Sequence, residues 1–171
     1  MKKILVILFI VIAFPIAYWL ASPLWRTEKV HETFQDIFVE MQKEMEVVTA
    51  FDAGDAAGAA PNEPMTADTL GTGAFHGLLG HSAEGDAVLL KVGGKYFVRF
   101  GDTFSVTNGP DLFVHFGKDG AYAKEARLAA LKGNVGGQNY EVPADINPEE
   151  YDEVWIWCRA FSVPFAKAIL K

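Results

Sequence analysis

Three hydrophobic patterns follow one another along the chain. The first is continuous: from Ile4 to Trp25 no charged residue interrupts a mostly apolar run. The second has helical spacing. In "TEKVHETFQDIFVEMQKEMEVV", Val30, Phe34, Ile37, Met41 and Val48 recur three, four or seven residues apart, with Glu44 breaking the stripe and Met45 beside it. This predicts one helix, either a free stalk or packed on a domain; three heptads are marginal evidence for a coiled coil. The third pattern is short and alternating. "AVLLKV" and "KYFVRF" flank Gly93-Gly94, a hairpin signal because both turn positions accept positive φ. In the second run Tyr96, Val98 and Phe100 share one face, Phe97 and Arg99 the other. After the turn at Asn108-Gly109-Pro110, Leu112, Val114 and Phe116 of "DLFVHF" share a face opposite Phe113 and His115. "QNYEV", "DEVWIWCRAF" and "PFAKAIL" continue the series, and "AKEARLAAL" alone has helical character.

These patterns predict four parts: a cytoplasmic tail and transmembrane anchor over 1–25, a helical stalk over 26–51, a flexible acidic linker over 52–70 broken by Pro61 and Pro64, and a single domain over 71–171. Many short strands between Gly and Pro turns predict an all-β domain, an antiparallel sandwich or barrel.

The run 4–25 is long enough for a bilayer, which needs roughly 20 apolar residues. Tyr18, Trp19 and Trp25 cluster at its far end, where aromatic rings favour the interface. A cleaved signal would place its cut near Ala21 and Ser22, but Trp19 and Leu20 then occupy positions that require small residues. The expectation is an uncleaved single-pass anchor in the plasma membrane. Lys2 and Lys3 set the N-terminus inside and the C-terminal domain outside the cytoplasm, against the weaker pull of Arg26 and Lys29. No cysteine lies near residue 20, which argues against a lipid-anchored lipoprotein.

Charge narrows the partners. With Lys2 and Lys3 set aside, 13 of the 15 basic residues face all 22 acidic ones, a net of −9. Phosphate backbones need clustered Lys and Arg, so nucleic acid is not an expected partner. The chain also lacks a phosphate-binding glycine loop, His-Glu-x-x-His, Cys-x-x-Cys-His and a nucleophile elbow. Its lone cysteine, Cys158, cannot form an internal disulfide. It is a buried filler, a reactive thiol or half of an intermolecular bond.

The ordered segments "HSAEG" (81–85), "NGPDLFVHF" (108–116), "LKGNVGGQNYEVP" (131–143) and "VWIWCRAFSVPFAKAIL" (154–170) resemble the DM-thirteen domain, a small extracytoplasmic β-rich family often found near DOMON domains. The resemblance covers about residues 71–171. It implies an electron-transfer module whose redox group is the cysteine of the Trp-Cys motif, acting as a free thiol or by binding haem. Carried onto this chain it implies a role for Cys158, with His81, Asp111, Asn134, Asn139 and Trp157 as further motif positions. Haem here would be non-covalent, with Cys158 or His81 as axial ligand. No DOMON or reductase domain stands beside this one, which leaves electron donor and acceptor open; the expected partner is an unidentified envelope redox or binding partner.

The residues themselves permit plainer roles. On a strand, Val154, Ile156 and Cys158 share the aliphatic face, while Trp155, Trp157 and Arg159 share the other. Cysteine on such a face behaves as a small hydrophobe. Asp111 is placed to cap turn N–H groups, and Asn134 and Asn139 to pair with loop backbone. His81 and His115 read as structural, as do Tyr140 and Tyr151. Trp155 and Trp157 form either a binding patch or a covered face. Two functions remain open: a membrane-anchored extracytoplasmic redox module working through Cys158, and a non-enzymatic envelope binding or scaffolding module with Cys158 as packing.

Overall fold

The computed structural model describes residues 9, 11–15, 18, 22, 26–52 and 66–171. Most of the apolar run 4–25 lies outside them, as do residues 53–65 of the expected linker. Among the described residues no helix is long and apolar enough to cross a membrane.

From residue 26 onward the described residues form one α-helix, α1 (Phe34–Asp52), a short 3-10 turn (Pro148–Glu150) and ten strands: β1 (Ala67–Gly77), β2 (Ala83–Glu84), β3 (Asp86–Val92), β4 (Lys95–Phe100), β5 (Ser105–Val106), β6 (Leu112–Lys118), β7 (Ala121–Ala130), β8 (Gln138–Glu141), β9 (Glu153–Cys158) and β10 (Val163–Ile169). Eight strands form one antiparallel sheet in the order β7-β6-β9-β10-β1-β3-β4-β8, and β2 pairs with β5. Opposite edges β7 and β8 are joined by residues 131–137 alone. A flat eight-stranded sheet would separate its edges by about 34 Å, at ~4.8 Å per strand. That chain segment reaches only about 28 Å fully extended. The sheet therefore curls. β1 carries the bend, pairing with β3 over Ala67–Ala74 and with β10 over Phe75–Gly77. The expected sandwich or barrel takes the form of this curled sheet.

The alternation read from sequence fills the curl. Val98, Phe100, Val114, Phe116, Val154, Ile156 and Cys158 all face the main core. Gly93 and Gly94 have φ of 53° and 85° and close the β3–β4 hairpin. The outer face of β3 and β4 forms a second core: Leu90, Val92 and Phe97 pack against Ile37 and Met41 of α1. Burying such side chains contributes about 1.5–3 kcal/mol each. α1 thus lies on the domain, the second of the two placements its pattern allowed. Its start is held by the Asp36 carboxylate, which accepts from both Thr33 N–H and Thr33 Oγ1–H, at 2.5 and 3.0 Å.

Three expectations are corrected. The helix does not begin near residue 26. Residues 28–33 run extended along the 133–137 loop: Val30 N–H donates to Val135 O, Val135 N–H to Glu28 O and Glu32 N–H to Gly137 O. Val30 therefore belongs to this arm and not to the helical stripe. Backbone pairing with a glycine-rich loop outweighed local helical spacing. "AKEARLAAL" is strand β7, because pairing with β6 overrides its helix propensity. Finally, β1 starts at Ala67, so the domain begins inside the expected linker.

Candidate functional site

The loops of the segments that carried the family resemblance lie at one end of the sheet, the loop end, from which their strands β6, β8, β9 and β10 extend toward the other end. Residues 78–85, 101–111, 131–137 and 159–162 gather there because β6, β8 and β10 start at that end while β1, β4, β7 and β9 finish there.

The two sharpest motifs are hydrogen-bonded neighbours. Leu112 is paired with Cys158 and Phe113 with Trp157 across β6 and β9, and Val163 of β10 flanks Cys158 on its other side. Cys158 is 0% exposed and sits within the main core. It is also the last residue of β9, followed at once by the exposed turn 159–162. Across that strand end runs a double link. Arg159 N–H donates to Asp111 O at 2.9 Å, and its guanidinium donates to both Asp111 carboxylate oxygens, at 2.7 and 3.2 Å. Arg159 also lies over the Phe113 ring, 4.7 Å from its centroid. The Asp111 carboxylate, expected to cap its own turn, is instead bound to this partner 48 residues away.

His81 stacks on Phe165, with ring centroids 3.7 Å apart and 11° between planes. The same Phe165 ring packs so closely on Gly109 that a methyl there would meet it at 2.9 Å. His81 is therefore joined to the Asn-Gly-Pro-Asp loop through one aromatic ring. Asn134 accepts from Glu28 N–H at 2.8 Å and donates to Val106 O at 3.3 Å. Asn139 lies on the other side of the arm. Its amide donates to Thr33 O and accepts from Arg99, and its backbone N–H donates to Glu32. These two amides hold backbone and arm, the plainer role their loop setting allowed. A pocket of about 560 Å³ opens beside this end, with Arg26, Asn108, Asp111, Leu112, Lys132 and Asn134 in its wall. Leu112 stands in that wall and beside Cys158.

Outside the curl, the tryptophans form a covered ladder. Trp157 stacks on Tyr122 at 3.8 Å, and Tyr122 meets His115 edge-on at 5.3 Å. Trp155 is buried under Lys167 and donates from Nε1 to Glu153 at 2.8 Å. Glu153, itself buried, also accepts from Lys167 at 2.6 Å and from Gly120 N–H. His115 is 5% exposed and donates from Nδ1 to Ala123 O. Burial pulls its pKa below the ordinary value, against the opposing pull of that hydrogen bond.

Cys158 does not fit as an axial haem ligand. Such a ligand must face a cleft wide enough for a macrocycle. Cys158 faces the core instead; His81 has one ring face on Phe165, a contact that does not involve its in-plane nitrogen lone pairs. Among the described residues no three His, Cys, Asp or Glu side chains converge to hold a metal ion.

Sequence reasoning missed Arg159 as the partner of Asp111, and Gln138 as the post of the glycine loop. Gln138 is fully buried, donates to Gly133 O and Gly136 O, and accepts from Gly133 N–H and Tyr140 Oη. The arm was missed as well. Its signal was present in Gly133, Gly136 and Gly137, since a methyl at any of them would collide with the arm's carbonyl oxygens.

The family described as "Electron transfer DM13" matches residues 75–170. This chain belongs to the DM13 family. The matched stretch holds nearly all of the curled sheet and every motif segment of the loop end, whereas the arm and α1 precede it. No curated protein and no solved structure matches the chain. The DM13 domain thus carries a redox-related family description on a fold whose lone thiol is enclosed at a strand end.

Proposed function

We propose that this DM13 domain is a redox module whose working group is Cys158, reached by local opening of the loop end, and that it is held outside the cytoplasm by an uncleaved anchor over residues 4–25. The observation that carries the reading is the register of Leu112 with Cys158 at the strand end, next to the Asp111–Arg159 link. The thiol lies one residue from an exposed turn, and the strand end that carries it is tied to its neighbour by the surface Asp111–Arg159 link.

A thiol in this position supports a two-electron cycle. The sulfur attacks the terminal oxygen of a hydroperoxide and the O–O bond breaks. Two electrons leave sulfur, and the thiol proton ends on the departing alcohol or water. The resulting sulfenic acid condenses with a partner's thiol, releasing water and forming a mixed disulfide. A further thiol from the partner side then restores Cys158. With one cysteine in the chain, that thiol belongs to another molecule.

One observation favours a second reading. Cys158 is fully enclosed by apolar neighbours, which is how a packing cysteine sits. The domain would then be an envelope binding module using the adjacent pocket. Exposure of the native chain to hydroperoxide with a sulfenic-acid trap distinguishes the two. A trap adduct at Cys158, absent from Cys158→Ala, is expected for the redox module. A folded chain that yields no adduct while consuming no peroxide supports the binding module.

A further inference from the structure

The two ends of the sheet differ in what their turns present. At the far end the β3–β4 turn is Gly93-Gly94 and the β6–β7 turn is Asp119-Gly120. At the loop end two turns present large apolar side chains to solvent. Leu79 is 72% exposed in the turn after β1, and Phe161 is 63% exposed in the turn between β9 and β10. Among the described residues these are the most exposed large hydrophobics from residue 26 onward. Both turns contain left-handed backbone: Leu79 has φ of 52°, and Ser162, next to Phe161, has φ of 54°. Non-glycine residues adopt this conformation uncommonly. The turns are neighbours. Gly77 pairs with Ala166, and Leu78 N–H donates to Phe165 O, so both flank the start of β10.

The chain enters the domain at this same end. Asn108 donates its side-chain N–H to Arg26 O, and Ser22 and Arg26 stand in the pocket wall with the 108–111 loop. From there the arm and α1 lead away, until Glu44 meets Lys95 beside the far-end turn. Arg26, the first residue after the uncharged run 4–25, is therefore at the end of the sheet from which Leu79 and Phe161 project.

We propose that the loop end is a lipid-contact surface, with Leu79 and Phe161 inserting into the bilayer interface on which the chain is anchored. This rests on the anchored reading above. Anchoring at residue 25 keeps the loop end within a few residues of the membrane, so insertion of two side chains requires no separate affinity. Aromatic and aliphatic tips on the same end as Arg26 and Arg159 match the interfacial layer, where apolar groups enter the lipid and guanidinium groups remain among headgroups. The same contact places the Cys158 strand end at the membrane surface, where lipid hydroperoxides form.

The test uses the full chain, in a Cys158→Ala background, reconstituted into phosphatidylcholine vesicles. One variant carries a single environment-sensitive fluorophore at Ala160→Cys, beside Phe161. A second carries it at Asp119→Cys, at the far end. The expected result is blue-shifted emission at 160 that is quenched by brominated phosphatidylcholine and protected from aqueous iodide, with the reverse at 119. Leu79→Ser with Phe161→Ser should abolish the difference while the protein still floats with the vesicles. Flotation with an iodide-accessible label at 160 overturns the lipid contact and leaves the anchor standing; it is also what a protein-docking surface would give. Failure to float overturns the anchor and the lipid contact together. Equal lipid quenching at 160 in the double variant overturns the role of the two tips.

Discussion

Serine and alanine differ at position 158 by one hydroxyl, and the surroundings of Cys158 make that difference measurable. Its neighbours Leu112, Val163 and Ile156 offer no side-chain acceptor. Cys158→Ser should lower stability by about 1–3 kcal/mol and Cys158→Ala by less, read from denaturant midpoints. Equal losses would mean that the hydroxyl finds a partner or that the strand end is already open. His115 gives a pH signature. Its pKa is depressed in the fold below 6.5, so the unfolded chain takes up the proton first. The stability this group contributes is complete above about pH 6.5 and is lost as pH falls from there through the folded value. His115→Phe should flatten that part of the stability profile, with equilibrium unfolding across the range as the check. Gly136 provides a third residue-scale test. It has φ of 97°, and a methyl there would strike Val30 O. Gly136→Ala should detach the arm, seen as faster hydrogen exchange at Val30 and Glu32, whose N–H groups bond to the loop.

The elements differ in how far their sequences disclosed them. β3, β4, β6 and β9 were legible because each has one face in the main core, and a period of two records that directly. β7 was not. Its alanines suit a helix, and only its pairing with β6, which a local window does not contain, makes it a strand. The start of α1 was misplaced for a related reason. Residues 28–33 have helical spacing, yet their backbone groups bond to residues more than 100 positions away. At the loop end, the Leu112–Cys158 pairing could be anticipated only as two motifs that matter, and the Asp111–Arg159 link not at all. Register between distant strands is set by the whole sheet. The arm and α1 also bear on which fragment is a folding unit. Residues 71–171 omit the first part of β1 and leave Leu90, Val92 and Phe97 uncovered. A fragment spanning 66–171 should melt at a lower temperature than 26–171 and bind a hydrophobic dye that the longer chain excludes. Equal melting temperatures would show that α1 adds nothing to the domain.

At the scale of the molecule, a redox role for Cys158 depends on how the enclosed thiol is reached. Strand ends open locally with free energies below that of global unfolding. The Asp111–Arg159 link is a surface ion pair, worth up to about 1 kcal/mol, so Asp111→Asn should raise opening of the strand end by roughly fivefold or less. The most direct measurement is the alkylation rate of Cys158 in the native chain, followed through low urea concentrations in the parent and in Asp111→Asn. Local opening predicts a rate nearly independent of urea well below the unfolding transition, and faster in Asp111→Asn than the change in global stability explains. A rate that rises with urea as steeply as global unfolding does, in both proteins, would contradict a thiol served by the loop end and leave Cys158 as part of the core.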